Sequence, residues 1–384
     1  MNIAFFLTIL VALLLVLLFA ALWALSKITE DYTYIFWRRI LISLHILAIA
    51  VFFAGYTVLS GEAFTGMLIR FATVMVVAEL MFTLFVLVGF VVKKIQSIGE
   101  STPFNRSRRN LLKGALSYPA AAAVATVYGA TKGIDDTVVR EYQIPVKNLP
   151  ENLKGFRMAQ LSDIHLGMFF SLERLKELLK QTADGKPDAL LLTGDIFDDK
   201  KLNAEAVKII DTFADAFPKG IFYCFGNHEH FRGADAIAEM LKNSKIKLLN
   251  NTSAVVAGGK RPLCFLGVDY PASREDKKFN EEMRSYTKDA LKGVPKDAVK
   301  VLLAHHPEYI DVARENNIEL TLAGHTHGSQ FGIFGKPLFP VFKYTRGFYN
   351  QNDSFGYVHS GNGSWFPYRI GCPPEIAYFT LRLG

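Results

Sequence analysis

Cysteine is scarce in this chain, with three among 384 residues, at positions 224, 264 and 372, and no CxxC pair or zinc-type spacing. A disulfide scaffold and a structural zinc module are thereby excluded, and the three are expected to be buried thiols. Long basic runs are lacking after residue 135, although the chain carries a formal charge of +7. Much of that excess sits at Arg38, Arg39, Lys93, Lys94, Arg106, Arg108, Arg109 and Lys113, all flanking apolar stretches. Such placement is the pattern of membrane topology and not of a DNA-binding face, so no nucleic-acid partner is expected. Ionisable residues inside the apolar runs are few as well. His45 and Glu79 are too little to make a transporter, and they are expected to face one another or a neighbouring helix.

What is abundant is apolar residues, half of the chain, with a positive mean hydropathy of +0.19. They concentrate before residue 130. Continuous apolar runs cover 3–25, 40–59 and 71–92, with a weaker one at 115–130, each long enough or nearly so to cross a bilayer. Tyr32, Tyr34 and Trp37 precede the second run as an interfacial belt would. Residues 1–134 therefore read as a multi-span α-helical membrane region, and 135–384 as a globular domain large enough to bury its own core. The basic connectors 26–39 and 93–113 belong inside, which places the domain after the fourth run outside the cytoplasm, on a multi-pass protein of the cell membrane.

From residue 155 short β-type runs alternate with amphipathic helical stretches, a pattern that predicts an α/β core. Five such runs end in metal-binding side chains. Residues 156–161 lead to Asp163 and His165, 189–193 to Asp195, 221–225 to Asn227 and His228, 299–304 to His305 and His306, and 320–323 to His325 and His327. Six of the nine histidines fall in these loops. Mixed imidazole and oxygen donors suit Mn, Fe, Zn or Co better than the all-oxygen shells of Ca or Mg. Two such ions with a bridging carboxylate suit in-line displacement at phosphorus.

Read in order, D-x-H, G-D, G-N-H-E, H-x-P and G-H-T-H-G resemble the calcineurin-like metallophosphoesterase superfamily over residues 155–384. Gly267-Val268-Asp269, Tyr344-Thr345-Arg346-Gly347 and the ending from Arg369 to Ile376 resemble its membrane-anchored, twin-arginine-exported bacterial branch. Ser107-Arg108-Arg109-Asn110-Leu111-Leu112-Lys113 is similar to the export signal itself. One departure is Ser329, where the branch usually has a second glycine. The resemblance implies a β-sandwich flanked by helices in four αββα layers, and a hydrolase of phosphomonoesters or phosphodiesters. It implies two divalent ions, one held by Asp163, His165 and His327, the other by Asn227, His305 and His325, with Asp195 bridging. A hydroxide between the ions would attack, and His228 would stabilise phosphate charge or protonate the leaving oxygen.

His306 is expected to face substrate, and Ser329 and Arg346 are further substrate-binding candidates. Asp198, Asp199 and His230 crowd the same loops as supporting groups, and Asn362 reads as a turn residue tolerating positive φ. Residues 331–349 are dense in aromatics, with three charges, all positive. Together with Met168-Phe169-Phe170 they suit an interfacial surface that admits a lipid headgroup, or else a packed hairpin under the site. The expected partners are a lipid bilayer and a phosphate-ester substrate, phospholipid or lipid-linked. Alternatives are a membrane sensor that only binds ligand, disfavoured because every ligand position and the proton donor are present, and a nucleotide or nucleic-acid phosphodiesterase.

Overall fold

A computed structural model of the chain describes residues 3–28, 31–57, 62–97, 120–167, 169–351, 353–364 and 367–384. It divides into two compact units, Met1–Lys132 with Phe366–Tyr368, and Gly133–Trp365 with Arg369–Gly384.

The first unit is helical. Helices α1 (Ile3–Ile28), α2 (Asp31–Thr57) and α3 (Glu62–Ser97) are followed by helical residues 120–130 (α4). Helix α3 packs on both α1 and α2, burying Ala21, Leu25, Leu41, Val77 and Val86. His45 and Glu79 do meet: the imidazole Nδ1 lies 2.9 and 2.8 Å from the two carboxylate oxygens, both side chains buried. Facing one another, they satisfy the desolvation that would otherwise penalise each.

The expectation of a multi-span membrane region is corrected here. Among the described residues, no helix is long and apolar enough to cross a membrane. Helices α2 and α3 extend beyond the apolar runs: α2 starts at Asp31 and takes in Arg38, Arg39 and His45, and α3 takes in Glu62, Arg70 and Glu79. Part of the apolar surface is also turned inward, onto neighbouring helices. The twin-arginine-like string at 107–113 lies outside the described residues.

The second unit opens with the short helix α5 (Lys132–Asp135) and β1 (Val138–Val146). There follow β2 (Arg157–Leu161), α6 (Leu172–Asp184), β3 (Ala189–Thr193), α7 (Lys200–Thr212), β4 (Gly220–Cys224), α8 (Asn227–Arg232), α9 (Ala234–Leu241) and β5 (Ile246–Leu248). The second half runs β6 (Thr252–Ala257), β7 (Leu263–Gly267), α10 (Asp276–Ala290), β8 (Val299–Leu303), α11 (Tyr309–Glu315) and β9 (Leu320–Ala323). It ends with a two-strand ribbon, β10 (Gly332–Ile333) and β11 (Lys336–Pro337), then β12 (Gly347–Gln351), β13 (Ser354–Val358) and β14 (Glu375–Leu383).

Two six-stranded sheets result, ordered β1-β14-β2-β3-β4-β5 and β12-β13-β9-β8-β7-β6. Strands β2 to β5 pair in parallel, as do β7, β8, β9 and β13. The unbroken apolar run of β3 is buried at every position, as a strand covered on both faces must be. Met158, Leu191 and Phe222 of the first sheet and Phe265, Val301, Leu322 and Tyr357 of the second share one core. There Phe222 meets Phe265 edge to face, centroids 4.9 Å apart. Deleting such a ring costs about 3–5 kcal/mol. Helices α6, α7 and α9 cover the outer face of the first sheet, and α10 and α11 that of the second, so the four αββα layers are present.

Local signals place the helices. Ser171 caps α6, its hydroxyl accepting from the Arg174 amide, and Leu175, Leu178, Leu179 and Thr182 bury one stripe. Helix α7 begins at Lys200 because the Asp199 carboxylate caps it, accepting from the Lys201 amide. The three cysteines are buried and unpaired.

Candidate metal centre

The side chains expected to converge do so where β2, β3 and β4 of one sheet and β8 and β9 of the other give way to loops. Backbone conformation aims them. Asp163, His165, Asp195, His325 and His327 all have positive φ, between 48° and 74°, a region that side-chain-bearing residues avoid at a cost of about 1–3 kcal/mol each. Such strain persists only where the surroundings hold it. Around Asp195 the holder is Glu229, whose wholly buried carboxylate accepts hydrogen bonds from the amides of Gly226, Asp195, Ile196 and Phe197 at 2.8, 2.9, 2.8 and 3.1 Å. Around Asp163, the Asn362 side chain accepts from the Ser162 amide at 3.0 Å and donates to the Glu375 carbonyl at 2.6 Å. Asn362 thus does not serve as a positive-φ turn residue; its neighbour Gly361 takes that role, with φ 80°. Gly226 and Gly324 are required by close approach, since a Cβ on either would run into the Asp195 or the Asp163 carboxylate.

Three groups of ligand atoms lie within 4.8 Å of one another: Asp163, His165 and His327; His165, Asp195 and His228; and Asp195, His305 and His325. Asp195 Oδ2 sits between the sets, 3.1 Å from His305 Nε2, 3.7 Å from His165 Nε2 and 4.0 Å from His228 Nε2. Its other oxygen accepts from the His228 amide. Imidazoles also face each other in pairs, His165 Nε2 to His327 Nε2 at 3.0 Å and His325 Nδ1 to His305 Nε2 at 3.3 Å.

The hydrogen-bond network assigns the tautomers. His305 Nδ1 faces the Thr193 carbonyl at 2.8 Å and must donate to it, so Nε2 is the nitrogen turned to the centre. His165 Nδ1 faces Asp198 at 2.9 Å, with the same consequence. Asp198 also holds His228 Nδ1 at 2.7 Å. Burial alone would raise Asp198, but hydrogen bonds from these two imidazoles carry it well below the usual carboxylate range. Burial, reinforced by neighbouring imidazoles and, at His327, by Arg369, pushes His325 and His327 well below the ordinary imidazole range. Asn227 Oδ1 is buried with no hydrogen-bond partner, which in an interior normally marks a group serving something else. Converging imidazole nitrogens, carboxylates, and an orphaned amide oxygen form the donor set of divalent metal ions, and the residues fit that use.

The remaining candidates stand apart from this cluster. His306 is enclosed by the rings of Tyr270, Phe279, His325 and Phe342, and burial with the neighbouring His305 lowers it to about 3. The Ser329 hydroxyl donates to the Phe331 carbonyl at 2.7 Å, and Arg346 donates to the Gly371 carbonyl at 3.0 Å. His230 pairs with Asp269 at 2.7 Å on the half-exposed rim. Two supporting residues escaped the sequence reading. Glu229 was visible as the last letter of G-N-H-E, at the spacing of a capping box. Arg369 is fully buried, donating to Ser364 and to the Cys372 and Gly363 carbonyls, with Nη2 3.4 Å from His327 Nδ1. The resemblance of the 369–376 ending marked it in the sequence, but not its burial against His327.

The sequence model of the family described as calcineurin-like phosphoesterase matches residues 156–329. The chain is 26% identical to a Danio rerio protein named "Transmembrane protein with metallophosphoesterase domain", covering 90% of this chain and 80% of the other. It is 29% identical to "Uncharacterized metallophosphoesterase YkuE" of Bacillus subtilis, over 72% of this chain and 98% of that one. It is also 29% identical to "Phosphodiesterase YaeI" of Escherichia coli, over 60% and 84%.

Proposed function

With a calcineurin-like phosphoesterase domain the chain is a phosphoric ester hydrolase, and from that premise we propose that it cleaves phosphate esters at a binuclear metal centre, on lipid-linked or other cell-envelope substrates. The observation that carries the reading is the position of Asp195 Oδ2 between two imidazole-bearing sets. Asp163, His165 and His327 would hold one ion, Asn227, His305 and His325 the other, and Asp195 both. When bound, such a pair supplies Lewis acidity at phosphorus and a water of lowered pKa.

The chain's own groups do the rest. His165 and His305 are locked in the tautomer that presents Nε2 by Asp198 and by the Thr193 carbonyl. His228 is half-buried, and with Nδ1 tied to Asp198 its Nε2 is free to hold a proton for the departing oxygen. Asp198 supports that role by fixing the orientation of the ring. Glu229 keeps the Asp195 loop in its strained conformation, so the carboxylate is aimed before any ion arrives.

Membrane association is supported by the exposed Phe19, Trp23, Phe36, Ile46, Val88 and Val91 on the helices of the first unit, and by relatives named as transmembrane proteins. The Ser107–Lys113 string supports a location outside the cytoplasm. The name of the Escherichia coli relative favours diesters over monoesters.

The test is a screen of the purified chain, with Mn, Zn, Fe or Co, on chromogenic mono- and diesters beside phospholipids. Turnover of a phospholipid or lipid-linked ester above the soluble ones is expected. Turnover confined to nucleotides or to soluble monoesters would overturn the substrate assignment.

A further inference from the structure

The segment that follows the last histidine of the centre has an uncommon tip. Strands β10 and β11 pair antiparallel, with Ile333 opposite Lys336, so that Phe334 and Gly335 alone make the turn. Both have positive φ, 49° and 78°, as a two-residue type I′ hairpin demands. Asn-Gly or Gly-Gly normally fills such a turn. A phenylalanine in the left-handed region is strained by its Cβ, and this one is also fully exposed, at 101% of its reference area. Two unfavourable choices coincide on one side chain.

Its neighbours share the exposure. Val341 is 83% exposed and Phe339 59%, and Ile333 and Leu338 are open as well. Anchorage is firm at the base: the Gly332 amide donates to the Ile370 carbonyl, the Leu338 amide to the Phe331 carbonyl, and Phe339 packs on Phe331. The segment then returns to the centre, where the Phe342 ring lies 5.1 Å from His325 and 5.8 Å from His306. From Phe331 to Tyr349 there is no acidic residue. Lys343 pairs with Asp311, and Arg346 caps the Gly371 carbonyl, while Lys336 lies exposed beside the tip.

An apolar tip with a cation at its shoulder, rooted beside a phosphate-ester site, matches one surface chemistry: the headgroup zone of an anionic bilayer. We propose that the Phe331–Val341 hairpin inserts Phe334 and Phe339 into anionic lipid and so presents a headgroup phosphate to the centre. A second copy of the chain or another protein would cover the rings but would have no use for the basic charge. The proposal rests on the lipid reading of the preceding section and names the element that performs it.

The experiment uses the full-length chain with Phe334→Cys, labelled with an environment-sensitive fluorophore. Cys224, Cys264 and Cys372 are buried, so the new thiol is labelled selectively. A control carries the label at Lys208→Cys, exposed on α7. Phosphatidylcholine vesicles with phosphatidylglycerol should blue-shift the probe at 334 and expose it to quenching by brominated acyl chains, more than phosphatidylcholine alone does. The probe at 208 should not respond. Equal responses at the two positions, or none at 334, would overturn the proposal. A shift without vesicles that grows with protein concentration would replace the bilayer with a second copy. Hydrolysis of a soluble chromogenic diester by the same preparation reports separately on the catalytic reading, so either can fail alone.

Discussion

Replacing Glu229 by glutamine probes what aims the metal centre. The carboxylate is wholly buried and accepts four backbone amides, two on each oxygen: Ile196 and Phe197 on one, Gly226 and Asp195 on the other. In Glu229→Gln one oxygen becomes an NH2 that must face two N–H donors, so two hydrogen bonds to a charged acceptor are lost. Each is worth about 1.5–3 kcal/mol, for a loss of roughly 3–6 kcal/mol before relaxation. Asp195, held at φ 54°, would also be released from a conformation that costs about 1–3 kcal/mol. Relaxation offsets part of the loss, leaving a net local destabilisation of about 2–3 kcal/mol, below the ~5–15 kcal/mol of a folded domain. The chain should therefore fold yet open locally. By hydrogen exchange, the amides of Asp195, Ile196 and Phe197 should exchange about 30–100-fold faster, since each ~1.4 kcal/mol is tenfold. Leu190 and Leu191, inside β3, should keep their protection. Unchanged exchange at 195–197 in a folded Glu229→Gln protein would refute the idea that this carboxylate sustains the strained loop.

Other perturbations divide the centre's roles. Asp195→Asn should lower bound metal towards one ion or none and remove most activity, whereas His228→Ala should keep the metal and lose about 10²–10⁴-fold in rate, as removal of a general acid does; metal analysis separates them, and a demetallated His228→Ala protein would reverse the assignment. Asp198→Ala strips the partner from both His165 and His228 and should weaken metal binding by about 10–100-fold, measured by competition with a chelating dye. Burial alone would lower His305, but Asp195 and Asp163 raise it to about 10 from an ordinary 6.5 in the metal-free protein. Its stabilisation is full below pH 6.5 and fades as pH rises through about 10. Metal must displace that proton, so affinity should climb between these limits by up to ~tenfold per pH unit. Calorimetry in buffers of different ionisation enthalpy would show proton release on metal uptake, and no release would contradict the sign.

The ligand loops were legible because β-type runs such as 189–193 and 320–323 end abruptly in side chains that have no place in a core. Their order along the chain was enough to suggest the family. Less visible was how those loops are held. Positive φ at Asp163, His165 and His327 is not signalled by a glycine at any of the three positions. Glu229 looked like the third residue of an ordinary capped helix, and only the fold shows that it also reaches across to the amides of 195–197. Asp198 and Asp199 read as one crowded loop, whereas Asp199 caps α7 and Asp198 holds two imidazoles. Hydrophobicity misled in the first unit. The apolar runs marked helices, but run length did not anticipate where α2 and α3 begin or how far charged residues enter them.

The central claim is that one binuclear metal site carries phosphoester hydrolysis. It is tested most directly by titrating metal-free full-length protein with Mn²⁺, while bound metal per chain and turnover of a chromogenic phosphodiester are read on the same samples. The account predicts no turnover without metal, and activity that rises with the ion completing a two-per-chain site. Full turnover in the metal-free protein, or saturation of activity at one ion with Asp195→Asn unimpaired, would contradict it.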